Sequence, residues 1–147
     1  EYAKNGPAEP LWVKPLRRNK GFAAVAVYDP DDMPDAGRVP DGQEVLVSEY
    51  VTFVSEWRCF VRRGEVLELS RYQGDVFRYP DPAVVKAALA DFAPHAPAGF
   101  GIDFGVLTTG RTVLVEVNDG YSLNPYGLEA MEYSELLEAR WSQLAGL

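Results

Sequence analysis

Apolar and polar positions alternate with period two over much of this chain, and turn residues punctuate the runs. Leu11-Trp12-Val13-Lys14-Pro15 reads as a short strand ended by its proline. A basic loop over residues 16–21 leads to an apolar strand over 22–28. Residues 29–43 are rich in Asp, Pro and Gly and read as a surface loop. Residues 44–50 form another strand, and 55–63 with 65–72 a hairpin turning at Arg63-Gly64. Asp81 as N-cap and Pro82 at the first helical position open a helix that runs to about Phe92. Val84, Val85, Ala88, Leu89 and Phe92 recur there at helical spacing, and Pro94 and Pro97 stop it. A second hairpin, residues 101–106 and 113–120, turns at Thr108-Thr109-Gly110-Arg111. A last helix runs from about Glu132 to Leu144. Strands dominate, and two helices are expected to cover one side of an antiparallel sheet: an α+β fold.

The second hairpin carries the most chemistry. Ile102, Phe104 and Val106 share one face, with Asp103 opposite. Val113, Val115 and Val117 share another, opposite Leu114, Glu116 and Asn118. If residue 107 pairs near residue 112, Asp103 lies roughly opposite Glu116, with Cβ atoms roughly 4.5–5.5 Å apart. Two carboxylates that close repel unless one is protonated or a cation lies between them. Oxygen ligands from Asp, Glu and Asn suit a hard cation, Mg²⁺ above all. A solvated edge hairpin would alternate in the same way. Against that, Asp103 interrupts an apolar, Gly-containing run, and Asn118-Asp119-Gly120 ends the strand with further oxygen donors.

Composition narrows the partners. A length of 147 residues favours one domain. The net charge of −8 and the lack of any long Lys/Arg block argue against nucleic acid. Arg17, Arg18 and Lys20 form the densest basic cluster, of a size for a polyphosphate. Cys59 is the only cysteine, so no intrachain disulfide forms; it reads as a buried small hydrophobe in a cytoplasmic protein. No run approaches the ~20 apolar residues of a membrane span, and no signal-peptide pattern is present. The chain opens on Glu1 and is expected to lack sequence on its N-terminal side.

Other candidates lie elsewhere. Lys14 ends a strand at a Pro corner, where an ordinary surface Lys would serve as well. Lys20-Gly21 sits in a loop able to fold over phosphates, without the P-loop pattern. Glu56 and Arg58 share a strand face, where a surface ion pair would contribute little. With Arg71 from the partner strand, Arg58 would make a bidentate phosphate clamp. The sole histidine, His95, lies in a Pro-flanked connector and is expected to have no role. One His and one Cys far apart exclude a zinc site of that type.

Read in order, Trp12-Val13-Lys14-Pro15, Val47-Ser48-Glu49-Tyr50-Val51, Glu56-Trp57-Arg58, Arg71, Gly101-Ile102-Asp103-Phe104-Gly105-Val106 and Glu116-Val117-Asn118 resemble the ATP-grasp superfamily. The seven-residue gap from Glu49 to Glu56 matches the family's hinge acid and ribose-binding acid. Asp103, Glu116 and Asn118 match its Mg²⁺ ligands. The ending, residues 118–122 with Tyr126-Gly127-Leu128 and Arg140-Trp141, looks like a bacterial and phage subfamily.

The resemblance implies an ATP-grasp-like fold, with a small phosphate-loop and adenine-hinge subdomain over 1–50 and a larger metal-binding subdomain over 51–147. It implies an ATP-dependent carboxylate–amine ligase working through an acylphosphate, chemistry that needs positioning and charge neutralisation more than a nucleophile. Carried over, Lys14 contacts the α-phosphate and Lys20 the β- and γ-phosphates. Glu49 and the backbone of Tyr50 and Val51 hold adenine, and Glu56 takes the ribose. Arg58 and Arg71 are the catalytic cations. Asp103, Glu116 and Asn118 bind one or two Mg²⁺, or Mn²⁺ in its place, and Tyr121 and Ser122 face the acceptor. The partners implied are a small-molecule or peptide carboxylate and an amine, and a homo-oligomer is compatible with them. The basic loop departs from the Gly-rich loop of many members, and the usual N-terminal domain and upstream lysine are not present; Lys4 is too close to Lys14 for that lysine. Two alternatives stay open: a Mg·ATP-binding module or ligase fragment without turnover, and an interaction domain whose acidic hairpin binds Ca²⁺ or nothing.

Overall fold

The computed structural model describes residues 9–16, 22–32 and 42–147. The basic loop with Arg17, Arg18 and Lys20 lies outside the described residues, as does Lys4. The chain divides into two compact units, Glu1–Val51 and Thr52–Leu147.

In the first unit, β1 (Leu11–Pro15), β2 (Val25–Val27) and β3 (Val45–Glu49) form an antiparallel sheet of order β2-β1-β3. β2 is shorter than its apolar run predicts, because only Val25 to Val27 pair with β1. Val13 and Val27 are buried, whereas β3 is exposed along its length. Tyr50 follows β3. Its N–H donates to the Pro10 carbonyl, and its ring lies between those of Trp12 and Tyr28.

The second unit holds β4 (Phe53–Arg62), β5 (Glu65–Gly74), α1 (Pro82–Phe92), β6 (Gly99–Leu107), β7 (Thr112–Asp119) and α2 (Ala130–Ala145). The sheet order is β5-β4-β6-β7, antiparallel throughout. The β4–β5 turn falls where expected, with Arg63 and Gly64 both at positive φ (49° and 84°), the geometry a two-residue hairpin needs. β6 is buried at every residue. Asp81 caps α1 by accepting from the Ala83 N–H, with Pro82 in the first turn. α2 begins two residues earlier than its apolar spacing predicts. The Glu129 carboxylate accepts from the N–H groups of Met131 and Glu132, and Gly146 closes the far end in the left-handed conformation.

One expectation is corrected. The helices do not share a side of the sheet. α1 packs Val85, Ala88, Leu89 and Phe92 against Cys59, Val61, Phe100, Ile102 and Phe104. α2 packs Leu136 and Leu137 against Phe60, on the opposite face, with Leu123 and Leu128 beside it. Consecutive residues of β4 are apolar, so both faces of its C-terminal half need cover. Among the described residues no helix is long and apolar enough to cross a membrane.

Candidate active site

The face that α2 covers at one end turns polar toward the other. Asp103 of β6 stands between Arg58 of β4 and Glu116 of β7. The Asp103–Glu116 pairing is the one the sequence predicts, but it is reached through a bulge. Val106 pairs with Thr112, and the register slips by one between Asp103 and Phe104, leaving Val115 unpaired. Without that slip Val115 would stand opposite Asp103 and Glu116 would point to the other face. The same slip corrects the expected face of Leu114. It pairs with Phe104, away from Glu116 and Asn118.

Arg58 and Asp103 form a buried, two-pronged ion pair, Nε to Oδ1 and Nη2 to Oδ2, both 2.7 Å. Only 6% and 1% of the two residues is exposed. The Asn118 Nδ2 donates to Glu116 Oε1 at 2.9 Å and lies 3.4 Å from Asp103 Oδ2. Gly101, one pair along β6, makes room for the arginine. A Cβ there would come within 2.9 Å of Arg58 Cδ.

Burial opposes both charges of the pair. At Arg58 the hydrogen bonds and charge of Asp103 override it and hold the guanidinium above its ordinary value. At Asp103 burial prevails over Arg58, with the Glu116 charge adding to it, and the carboxyl is pushed up from the ordinary carboxylate range. A carboxylate raised in this way has most to gain from a further cation.

Two tyrosines close the site. Tyr72 of β5 donates its hydroxyl to Glu56 Oε2 at 3.0 Å. Burial, then the charges of Asp103 and Glu56, push the phenol upward, so it stays a donor. Tyr126, in the loop before α2, stacks on Tyr72 with centroids 4.8 Å apart. Its ring lies 4.9 Å from the Arg58 guanidinium carbon, and that of Tyr72 5.9 Å. Tyr126 has φ of 44°, a backbone region that costs a Cβ-bearing residue ~1–3 kcal/mol.

The sequence pairs Arg58 with Arg71, and the structure does not bring these two together. A register slip between Glu56 and Trp57 leaves Tyr72 unpaired on β5, and Arg71 stands opposite Trp57, on the other face. Its Nη1 donates to the Gly74 carbonyl. Tyr72 takes the expected place beside Arg58. Tyr121 packs edge-on against Trp141, while Ser122 is exposed and Leu123 buried. The Asp119 carboxylate accepts two bonds of 2.6 Å from Arg140 of α2, which anchors the start of this loop. In the first unit, Lys14 lies in β1 opposite Leu46, Glu49 ends β3, and Tyr50 and Val51 follow it. Lys20 is outside the described residues. Cys59 is buried, with its thiol pushed up to about 11, and His95 is exposed.

Tyr72, Tyr126 and Gly101 are the site residues that reading by motif misses as participants. A signal existed. An acid in a buried strand demands a counter-charge within reach.

No cluster of three Asp, Glu, His or Cys side chains occurs among the described residues. A hard-cation site here draws its third ligand from Asn118. The donor set fits one. Carboxylates from two adjacent strands lie within 3.4 Å of a single amide nitrogen, and that amide, rotated, presents its oxygen to the same point. Each Asp103 oxygen holds one arginine N–H and keeps acceptor capacity for another partner.

This arrangement, in a chain of two antiparallel sheets and two helices, is an ATP-grasp fold. The chain belongs to a family of ATP-grasp domains, family 2 of its clade, whose model matches residues 1–136. Solved structures share the fold. D-alanine–D-alanine ligase from Bacillus anthracis, complexed with ATP, is 23% identical, with a TM-score of 0.62 over 92% of this chain and 50% of that one. N5-carboxyaminoimidazole synthetase from Staphylococcus aureus, complexed with ADP, is 13% identical, with a TM-score of 0.63 over 90% and 41%. The ATP-grasp ligase PsnB, complexed with a phosphomimetic variant of its minimal precursor, Mg and ADP, is 15% identical, with a TM-score of 0.58 over 95% and 47%. The chain thus spans about half the length of these structures. No functionally curated protein matches it in sequence.

Proposed function

We propose that this chain forms the nucleotide- and metal-binding part of an ATP-dependent ligase that joins a carboxylate to an amine. The observation that carries the reading is the convergence of Asp103, Glu116 and Asn118 beside a buried, oriented arginine. In the reaction, a substrate carboxylate oxygen attacks the γ-phosphorus of ATP, ADP leaves, and an amine then displaces phosphate from the acylphosphate to give an amide. Asp103, Glu116 and Asn118 would hold Mg²⁺, which when bound neutralises phosphate charge. Arg58 offers N–H groups and charge to the transferring phosphoryl. Glu56, oriented by the Tyr72 hydroxyl, takes the ribose hydroxyls. Lys14, Lys20, Glu49 and the backbone at Tyr50 and Val51 contact the rest of the nucleotide, and Tyr121 and Ser122 face the acceptor. Arg71 meets a more distant part of the substrate, if any. The carboxylate is a small molecule or a peptide, by analogy with the relatives' printed ligands. A second reading, Mg·ATP binding without turnover, is favoured by the chain's spanning about half of each relative.

The test is thermal unfolding with and without Mg·ATP, on the wild type and on Glu116→Gln. A ligand at about 100 times its Kd stabilises by about 2.7 kcal/mol, several degrees for a domain of this size. A Mg²⁺-dependent shift confined to the wild type supports the site. Equal shifts in both proteins would remove Glu116 from it. Release of ADP in a screen of carboxylates and amines then separates ligase from binding module.

A further inference from the structure

We propose that Tyr126 is a positioning residue for Arg58, which fixes the guanidinium so that its remaining edge meets the transferred phosphoryl. The proposal rests on the nucleotide reading above and goes beyond it, since the ligand residues alone do not set the angle of the arginine.

Three contacts fix Arg58. Asp103 holds Nε and Nη2 in the plane of the group. Gly101 lies under the stem, where a Cβ would press on Cδ. The Tyr126 ring lies 4.9 Å over the guanidinium carbon. A two-pronged carboxylate fixes the plane's edge but leaves the group free to rock about the fork. A ring against its face removes that freedom and lowers the cost of burying the charge. Nη1 is then the nitrogen left for a further acceptor. A phosphoryl oxygen is the kind of acceptor a guanidinium edge suits.

Tyr126 is held in its turn. Leu123 and Leu128, on either side of it, are buried with Phe60 and Leu136. The Leu128 N–H donates to the Pro125 carbonyl, and Gly127 follows at φ of 100°. The ring stacks on Tyr72, itself tied to Glu56. A left-handed backbone at a tyrosine, where Gly or Asn would sit without strain, fits a position kept for its ring.

The experiment compares Tyr126→Phe, which keeps the ring, with Tyr126→Asn, which suits the backbone and removes it. The first readout is the Arg58 Nε–Hε resonance of ¹⁵N-labelled protein, assigned with Arg58→Lys. Tyr126→Phe should leave it in place, and Tyr126→Asn should shift it and speed its exchange with water. The second readout is the affinity for Mg·ADP alone and with aluminium fluoride as a phosphoryl mimic. Tyr126→Asn should bind Mg·ADP within about threefold of wild type and lose about 10- to 100-fold of the gain from fluoride, as a misplaced group would. Tyr126→Phe should retain that gain. An unmoved resonance in Tyr126→Asn would overturn the proposal, and so would a retained fluoride gain. A loss as large in Tyr126→Phe would place the role in the hydroxyl instead. Failure of the wild type to bind Mg·ADP would overturn the nucleotide reading, and with it the purpose assigned to the ring, while the resonance would still report whether the ring holds Arg58.

Discussion

Arg58 and Asp103 are each other's reason for being tolerated in a sheet interior. Removing one partner leaves the other buried and unpaired, which costs ~3–5 kcal/mol, whereas replacing both with apolar groups is far less damaging. Arg58→Ala has the added penalty of leaving Asp103 facing Glu116 with no guanidinium beside it. Urea unfolding should therefore show a loss of ~3–5 kcal/mol for Arg58→Ala, most of it recovered in Arg58→Met combined with Asp103→Leu. A double variant as unstable as the single one would mean that the pair is not the source of the cost. Gly101→Ala tests the same pair from below. The added methyl meets Arg58 Cδ, and overpacking of this kind costs ~1–3 kcal/mol. Cys59 supplies a control on the opposite face. Burial pushes its thiol to about 11 from 9.0. The folded state therefore favours the protonated form: the contribution is complete below pH 9 and is lost as pH rises through 11. At about pH 8 native protein should resist iodoacetamide, while urea-unfolded protein reacts.

At the scale of elements, local signals were legible and long-range ones were not. The Arg63-Gly64 turn, the Asp81–Pro82 helix start and the Asp103–Glu116 pairing all follow from residues close in sequence or from a short turn. The Arg58–Asp103 pair joins residues 45 apart, and no period or spacing announces it. Two one-residue slips decided the rest of the site. At Val115 the slip keeps Glu116 on the Asp103 face, and at Tyr72 it replaces Arg71 beside Arg58. Alternation read straight through a bulge assigns every later residue to the wrong face. The two-sided burial of β4 was written in the sequence, since Cys59, Phe60 and Val61 are consecutive, and it required a helix on each face. Leu136 is where α2 meets that requirement, fully buried against Phe60. Leu136→Ala should cost ~2–5 kcal/mol in urea unfolding. A loss below ~1 kcal/mol would mean that α2 does not depend on this contact.

The molecule as a whole is unevenly stabilised. Val13 and Val27 are the buried core residues among the described part of the first unit, whereas the second unit carries two clusters, one on each face of its sheet. A three-stranded sheet with so little apolar burial and a β3 exposed at every position opens at lower free energy than a sheet whose central strand is buried throughout. Native-state hydrogen exchange should therefore find the amides of β1–β3 exchanging well before those of β4 and β6. Added Mg·ATP gives the same measurement functional content. The proposed nucleotide contacts include Glu49 and the Tyr50 and Val51 backbone in one unit, and Asp103, Glu116 and Asn118 in the other. Ligand binding to the folded state slows exchange in each segment whose opening breaks the site. Protection should then rise at β3 and at β7 together. A rise at β7 alone would keep the metal site and remove Glu49 and the backbone after it from the nucleotide.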